Sequence, residues 1–399
     1  MTKCKLGRII ILSVVALFLA VPVFAAEKPI KIAYIQSTTG PLEQFANQSV
    51  AGFKLGMEYA TNGTMKLLGR PVEVLYRDDQ AQPALTKQLL IAAYKDDKVD
   101  VAIGPSSSAA AMAVLDVPKE FKKILIVEPA VTDEITGPKG NNYIFKTGRN
   151  SSQDAISNAY GIAAPGVNIV TLAQDYTFGH AFVAAFEKAC KAKGATIVAK
   201  EFLPMATQDF TPAALRIIEA LKDKPGKKYV FLNWAGKGSP LNKLRDMQLD
   251  KKYGIELTTS GNILPVLKSY KPFEGMITAT YYYYENPKNK MNDWMVAEHK
   301  KRYNNVPPDF FTCGGFAAAM ALVTAVNKAK SVDTEKLMAV MSGMHFQTPK
   351  GEMVFRKSDQ QALQSMFVCK LKNVEGVDWA VPELVKELTW KDMDIPSGR

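Results

Sequence analysis

Three consecutive hydroxyls, Ser106-Ser107-Ser108, follow Gly104-Pro105 and lead straight into Ala109-Ala110-Ala111. Upstream, Val99 to Ile103 has the apolar content of a buried parallel strand ending at Gly104. A strand end, a tight turn and a helix start bring unpaired N–H groups and a positive dipole end to one corner, where ligands bind in open α/β sheets. Such a corner binds an anion. Serine suits it, because each hydroxyl donates and accepts and leaves room for a carboxylate to approach the backbone. The same three serines also satisfy the composition of a helix N-cap, whose job is structural. On this stretch alone both readings stay open.

Other reactive residues form no catalytic pattern. The three histidines, His180, His299 and His345, are far apart; His299, among Glu298, Lys300 and Lys301, reads as part of a solvent face, and His345 as part of a loop. Asp78-Asp79 are adjacent at a strand end, so their carboxylates point to opposite sides. A nucleophile elbow, a phosphate loop, a dinucleotide fingerprint and a H-E-x-x-H motif are all missing, so an enzyme is not expected. Beyond the N-terminal segment the cysteines are Cys190, Cys313 and Cys369. They show no C-x-x-C spacing and no nearby histidine, so neither a metal site nor a cofactor is expected. Cys190 falls at helical spacing with Phe182 and Phe186 and reads as core.

The N-terminus has a basic start (Lys3, Lys5, Arg8), an apolar run from Ile9 to Val21, and small residues at Ala25-Ala26. That is the pattern of a secretory signal peptide cleaved near Ala25, over residues 1–25. Later stretches lack the roughly 20 unbroken apolar residues of a membrane span. An exported, periplasmic chain of two domains is expected. The net charge is +11, or +8 without Lys3, Lys5 and Arg8, with lysines scattered singly and in pairs. There is no basic stripe with interleaved aromatics, so nucleic acid is not an expected partner.

Between the ends, short apolar runs alternate with amphipathic stretches. Strands are predicted at Ile30–Ile35, Pro71–Tyr76, Ile124–Val127 and Tyr143–Lys146, with helices between them. The rhythm restarts with a helix from Ser152 and strands at Val167–Leu172, Thr196–Phe202, Tyr229–Leu232 and Ile255–Thr259. A strand from Met276 to Tyr284 is expected to carry four tyrosines on alternating faces. A last strand is predicted at Ser365–Lys370.

Several pieces, in this order, carry a family likeness: Thr39-Gly40-Pro41 with Phe45, Asp78-Asp79, Ile103-Gly104-Pro105 with the serines, and Pro129-Ala130-Val131-Thr132. Asp175-Tyr176-Thr177-Phe178-Gly179, Asp209-Phe210-Thr211 and Thr348-Pro349-Lys350-Gly351-Glu352 follow. From about Ile30 onward the chain resembles the periplasmic solute-binding proteins of branched-chain amino acid ABC transporters, with the type I periplasmic-binding fold. The resemblance implies an α/β protein of two similar lobes, each a mostly parallel sheet with helices on both faces, joined by a three-segment hinge. Lobe 1 would comprise 27–147 plus 279–355, and lobe 2 would comprise 148–278 plus 356–399. It further implies a monomer that traps a small carboxylate-bearing ligand and delivers it to ABC permease subunits.

By the same resemblance, Ser106, Ser107, Ser108, Ala130, Val131 and Thr132 form the carboxylate side of the site. Phe45 covers the ligand from the first lobe and Phe178 from the second, joined by Trp234 and Gly261. One departure matters. Amino-acid-binding members place an acid on the second lobe to pair the ligand's ammonium, and the matching loop here is Thr259-Ser260-Gly261-Asn262. Burying an unpaired ammonium costs several kcal/mol. Either Glu128, Asp175 or another acid substitutes, or the ligand has no amine. An apolar or aromatic acid is therefore the expected ligand, with a branched-chain or neutral amino acid as the alternative. A ligand-sensing receptor of the same fold and a secreted hydrolase are the competing functions.

Overall fold

Ile- and Val-rich runs bury both faces in parallel sheets, and the amphipathic stretches between them supply the covering helices. The computed structural model describes residues 1–2, 27–235 and 238–399. The expected signal segment therefore lies, but for its first two residues, outside the described residues. The first sheet contains β1 (Ile30–Gln36), β2 (Lys66–Leu67), β3 (Arg70–Asp78), β4 (Val101–Ile103), β5 (Ile124–Val127) and β6 (Ile144–Lys146). Their order is β2-β3-β1-β4-β5-β6, parallel except for the short β2. The second sheet contains β7 (Asn168–Gln174), β8 (Thr196–Leu203), β9 (Lys228–Asn233) and β10 (Ile255–Thr259), in the parallel order β10-β9-β7-β8.

Both orders reverse direction at their first strand. In sheet one, β3 lies on one side of β1 and β4 on the other; in sheet two, β8 and β9 flank β7 in the same way. Loops leaving the carboxyl ends of strands at such a reversal diverge to opposite faces and leave a crevice. The loops after β1 and β4, and those after β7 and β9, are thus the ones topology selects to bind something.

Two small antiparallel sheets complete the chain: β11 (Ile277–Thr280), β15 (Met366–Lys372) and β16 (Val381–Leu388); and β12 (His345–Thr348), β13 (Gly351–Phe355) and β14 (Ala362–Leu363). The expected strand to Tyr284 stops at Thr280, where pairing with Phe367 of β15 ends. The tyrosines beyond it are anchored by the core instead. Tyr281 and Tyr282 are fully buried, and the Tyr282 hydroxyl meets Asn292 Oδ1 at 2.7 Å. Strand β16 spaces Val381, Leu384, Val385 and Leu388 without strict alternation and leaves its middle exposed, so it gave no strand signal. His345 lies in β12 rather than a loop. His299 is buried, with its Nδ1 2.9 Å from the Val306 carbonyl, rather than facing solvent.

Helix Phe310–Ala329 runs through the first core beside helix Glu43–Ala60. By length and composition it could cross a membrane, contrary to the sequence expectation, yet it is almost wholly buried in protein. The two helices approach closely because a Cβ on Gly52 would overlap the Thr312 carbonyl and one on Gly315 the Ser49 carbonyl. Cys190, Cys313 and Cys369 are buried free thiols.

Candidate ligand-binding cleft

A cleft lies between the carboxyl ends of the two parallel sheets. Leu42 and Phe45 reach it from the loop and helix after β1, Ser106 to Ser108 from the end of β4, and Pro129 and Val131 from the loop after β5. On the other side stand Tyr176 and Phe178 after β7, Asn233 to Ala235 after β9, and Thr259 to Asn262 after β10. Every one of these groups sits where the strand-order reversal, or the strand next to it, opens a loop.

The serine corner caps its helix and lines the cleft. Gly104 turns the chain at φ +132°, and a Cβ there would overlap the Ile35 carbonyl, so the tight turn requires glycine. Ser107 is the N-cap, accepting weakly from Ala110 N at 3.5 Å. Ser106 Oγ donates to Gln36 Oε1 and accepts from Ser37 N at 3.2 Å, tying β4 to β1. Ser108 Oγ accepts from the amides of Val131 and Thr132, each at 3.3 Å. Its own O–H is left to donate. The helix it opens runs only from Ser108 to Ala113. A helix that short carries a modest dipole.

The loop after β5 is held from both sides. While Ser108 takes its amides, Lys146 Nζ donates to the carbonyls of Val131 and Thr132 at 2.8 and 3.0 Å. As a result only Val131 of the expected trio faces the cleft. Ala130 is buried and gives its N–H to the Pro105 carbonyl at 3.3 Å. Thr132 is buried too, and its hydroxyl has no hydrogen-bond partner among the described residues. Both leave the list of wall residues that sequence reading proposed.

Of the remaining expected residues, Phe45, Phe178, Trp234 and Gly261 all line the cleft. Phe45 packs on Phe311 with centroids 4.6 Å apart, Phe178 on Tyr176 at 5.8 Å, and Trp234 edge-on to Phe210 at 5.6 Å. Gln174 fixes the Trp234 loop through two bonds with the Ala235 backbone, at 2.9 and 3.0 Å. Gly261 contributes backbone only: its N–H is bonded to Ala279 O at 2.8 Å, and a side chain would collide with Thr280.

Neither acid named from sequence reaches the wall. Glu128 is buried behind it, accepting from Thr147 Oγ1 at 3.3 Å, and burial pushes its carboxyl up to about 7 against the pull of Arg149. Asp175 is half-exposed and paired with His180 at 2.7 Å. The carboxylate in the wall is Asp154, which receives Arg149 Nε at 2.9 Å. Burial raises the Asp154 carboxyl, and the guanidinium opposes that rise. Arg149 itself lies over the rings of Phe310 (4.7 Å), Tyr281 (5.4 Å) and Phe311 (5.6 Å). Sequence reading missed Arg149, Asp154, Phe310 and Phe311. A local signal existed for their positions: Asn150 and Gln153 form a capping box that starts helix Ser151–Ile162 beside Arg149, and Asp309 caps the helix that Phe310 begins.

The model of the family described as periplasmic binding protein matches residues 29–376. A protein of Pseudomonas aeruginosa named leucine-, isoleucine-, valine-, threonine- and alanine-binding protein is 25% identical over 339 residues, covering 83% of this chain and 86% of its own. A crystal structure titled ABC-type branched-chain amino acid transporter, from Rhodopseudomonas palustris CGA009, is 60% identical. It covers 93% of this chain and 99% of its own with a TM-score of 0.84. A solute-binding protein of Rhodopseudomonas palustris BisB5, solved with 3,4-dihydroxybenzoic acid, is 26% identical. It covers 93% of this chain and 99% of its own with a TM-score of 0.79.

Proposed function

The chain belongs to the periplasmic binding protein family, and from that footing we propose that it captures a small carboxylate-bearing solute in the cleft and presents it to an ABC permease. The observation that carries this reading is the cleft itself, which combines facing aromatic walls with a hydroxyl and a guanidinium. Phe45 and Phe311 from one lobe and Phe178 and Trp234 from the other supply apolar faces for a ligand body. Ser108 O–H and Arg149 supply donors for an anion. Relatives divide between branched-chain and small neutral amino acids and a dihydroxylated benzoic acid, both carboxylates.

The two lobes of this reading are 27–147 with 281–363, and 148–280 with 364–388, because β14 pairs with β13 and β11 with β15. The tail beyond lies back on the first lobe, where Arg399 reaches the Asn141 carbonyl at 3.1 Å. The hinge is the set of crossings near Thr147, Tyr281 and Gln364, laced by Gln361 Nε2 to Gly148 O at 2.8 Å and Gln364 Nε2 to Thr147 O at 3.2 Å. A ligand shifts such a hinge only by touching both lobes. The working protein is a periplasmic monomer that binds without turnover, its N-terminal segment removed on export.

The test is a thermal-shift screen of the protein without residues 1–25 against neutral amino acids, aliphatic acids and aromatic acids, followed by calorimetry. A ligand at about 100 times its Kd should stabilise the fold by about 2.7 kcal/mol. No shift with any class, or steady consumption of a ligand, would overturn the reading.

A further inference from the structure

The wall of the cleft holds an ion pair, Arg149 with Asp154, each side chain 11% exposed. Asp154 is the one carboxylate on that wall among the described residues. It sits on the first helix of the second lobe, and one turn along that helix Asn158 bonds Ser260 Oγ at 3.0 Å. Asp154 thus stands beside the Thr259–Asn262 loop, from which an acid facing a ligand's ammonium was expected. Here a protein cation has arrived first. Arg149 Nε occupies Oδ1, and the rings of Phe310, Phe311 and Tyr281 hold its plane. Its Nη atoms donate to no acceptor among the described residues, while the residue lines the cleft.

Resting on the solute-binding reading above, we propose that Arg149 is a built-in substitute for a ligand ammonium: it neutralises Asp154, turns its Nη edge to the ligand's carboxylate, and makes the cleft selective for acids that lack an amine. An incoming ammonium would have to share Asp154 with a guanidinium already bonded to it, while the buried Lys350 and Lys146 add positive charge nearby. Two cations would then compete for one carboxylate in a partly dry site, whereas an amine-free acid meets a cation with donors to spare. The aromatic rings that hold Arg149 adjoin those that would cover the ligand body, so charge recognition and apolar recognition share one wall.

The test uses probes that differ only by the amine: 3-phenylpropanoate against phenylalanine, and 4-methylpentanoate against leucine. Calorimetry is run on the wild type, Asp154→Asn, Arg149→Met and the double variant, with a melting curve for each. The wild type should favour each acid over its amino acid by about 100-fold or more. The double variant should bind acids at least about tenfold more weakly than Asp154→Asn. That comparison isolates Arg149 even if Arg149→Met alone, which strands a buried carboxylate, fails to fold. Where Arg149→Met folds, its preference for acids should shrink or invert. A wild type that prefers the amino acids and loses them in Asp154→Asn overturns the proposal and leaves solute capture standing. Equal acid affinity in Asp154→Asn and the double variant also overturns it. A wild type that binds neither these probes nor the broader screen overturns both readings.

Discussion

Ser108 accepts two backbone amides on one oxygen and lines the cleft, so it both shapes the Val131 loop and borders the space where a ligand would sit. Removing that hydroxyl costs a donor to an anion and loosens a wall. Ser108→Ala should weaken the best-binding acid by about 1 to 2 kcal/mol, roughly 5- to 30-fold in Kd by calorimetry. Thr132, its expected companion, should contribute far less, because its side chain is buried away from the cleft. Residue types made the serine corner legible from sequence. They could not reveal that Lys146 and Ser108 would together orient the next loop so that Val131 faces in and Thr132 does not.

Among the elements, the pairing of Glu43–Ala60 with Phe310–Ala329 places Phe45 and Phe311 side by side although they are far apart in sequence. The contact depends on glycine at the crossing. Gly52→Ala would drive a methyl into the Thr312 carbonyl, and it should destabilise the fold by about 3 kcal/mol or more, the upper end of overpacking costs. Urea midpoints compared at one temperature check this, and ligand affinity should fall with them as the two phenylalanines part. Short apolar runs and the amphipathic stretches between them show where helices fall. Which helix packs on which is a long-range choice, and it decided that aromatic residues from opposite ends of the lobe share one wall.

Across the whole molecule, Asp309 connects the lobes. Its Oδ2 accepts from Gln48 Nε2 at 2.9 Å on the first lobe and from Leu264 N at 2.8 Å on the second, while Oδ1 caps Phe310 N at 2.7 Å. Burial pushes its carboxyl up to about 7, against the pull of these donors. A carboxyl with a native pKa above its unfolded value binds more protons in the native state throughout that interval. Its contribution to stability is therefore full below about pH 4 and is lost as pH rises toward 7. Urea midpoints of the wild type should fall between about pH 4.5 and 7 through this group, and Asp309→Asn should flatten that part of the profile. An unchanged slope in the variant would assign the fall to other carboxyls.

By itself the sequence determined the alternation of strands and helices, the two-lobed α/β class, the corner at Ser106 to Ser108 and the aromatics at positions 45, 178 and 234. The alternation and the serine corner follow from local rules, periodicity and turn chemistry, whereas the aromatic positions are what the family resemblance implies. Tertiary structure decided the charge of the site. Arg149 and Asp154 are neighbours at one helix start, and only tertiary packing lays Phe310, Phe311 and Tyr281 against that guanidinium and sets the pair in the cleft wall.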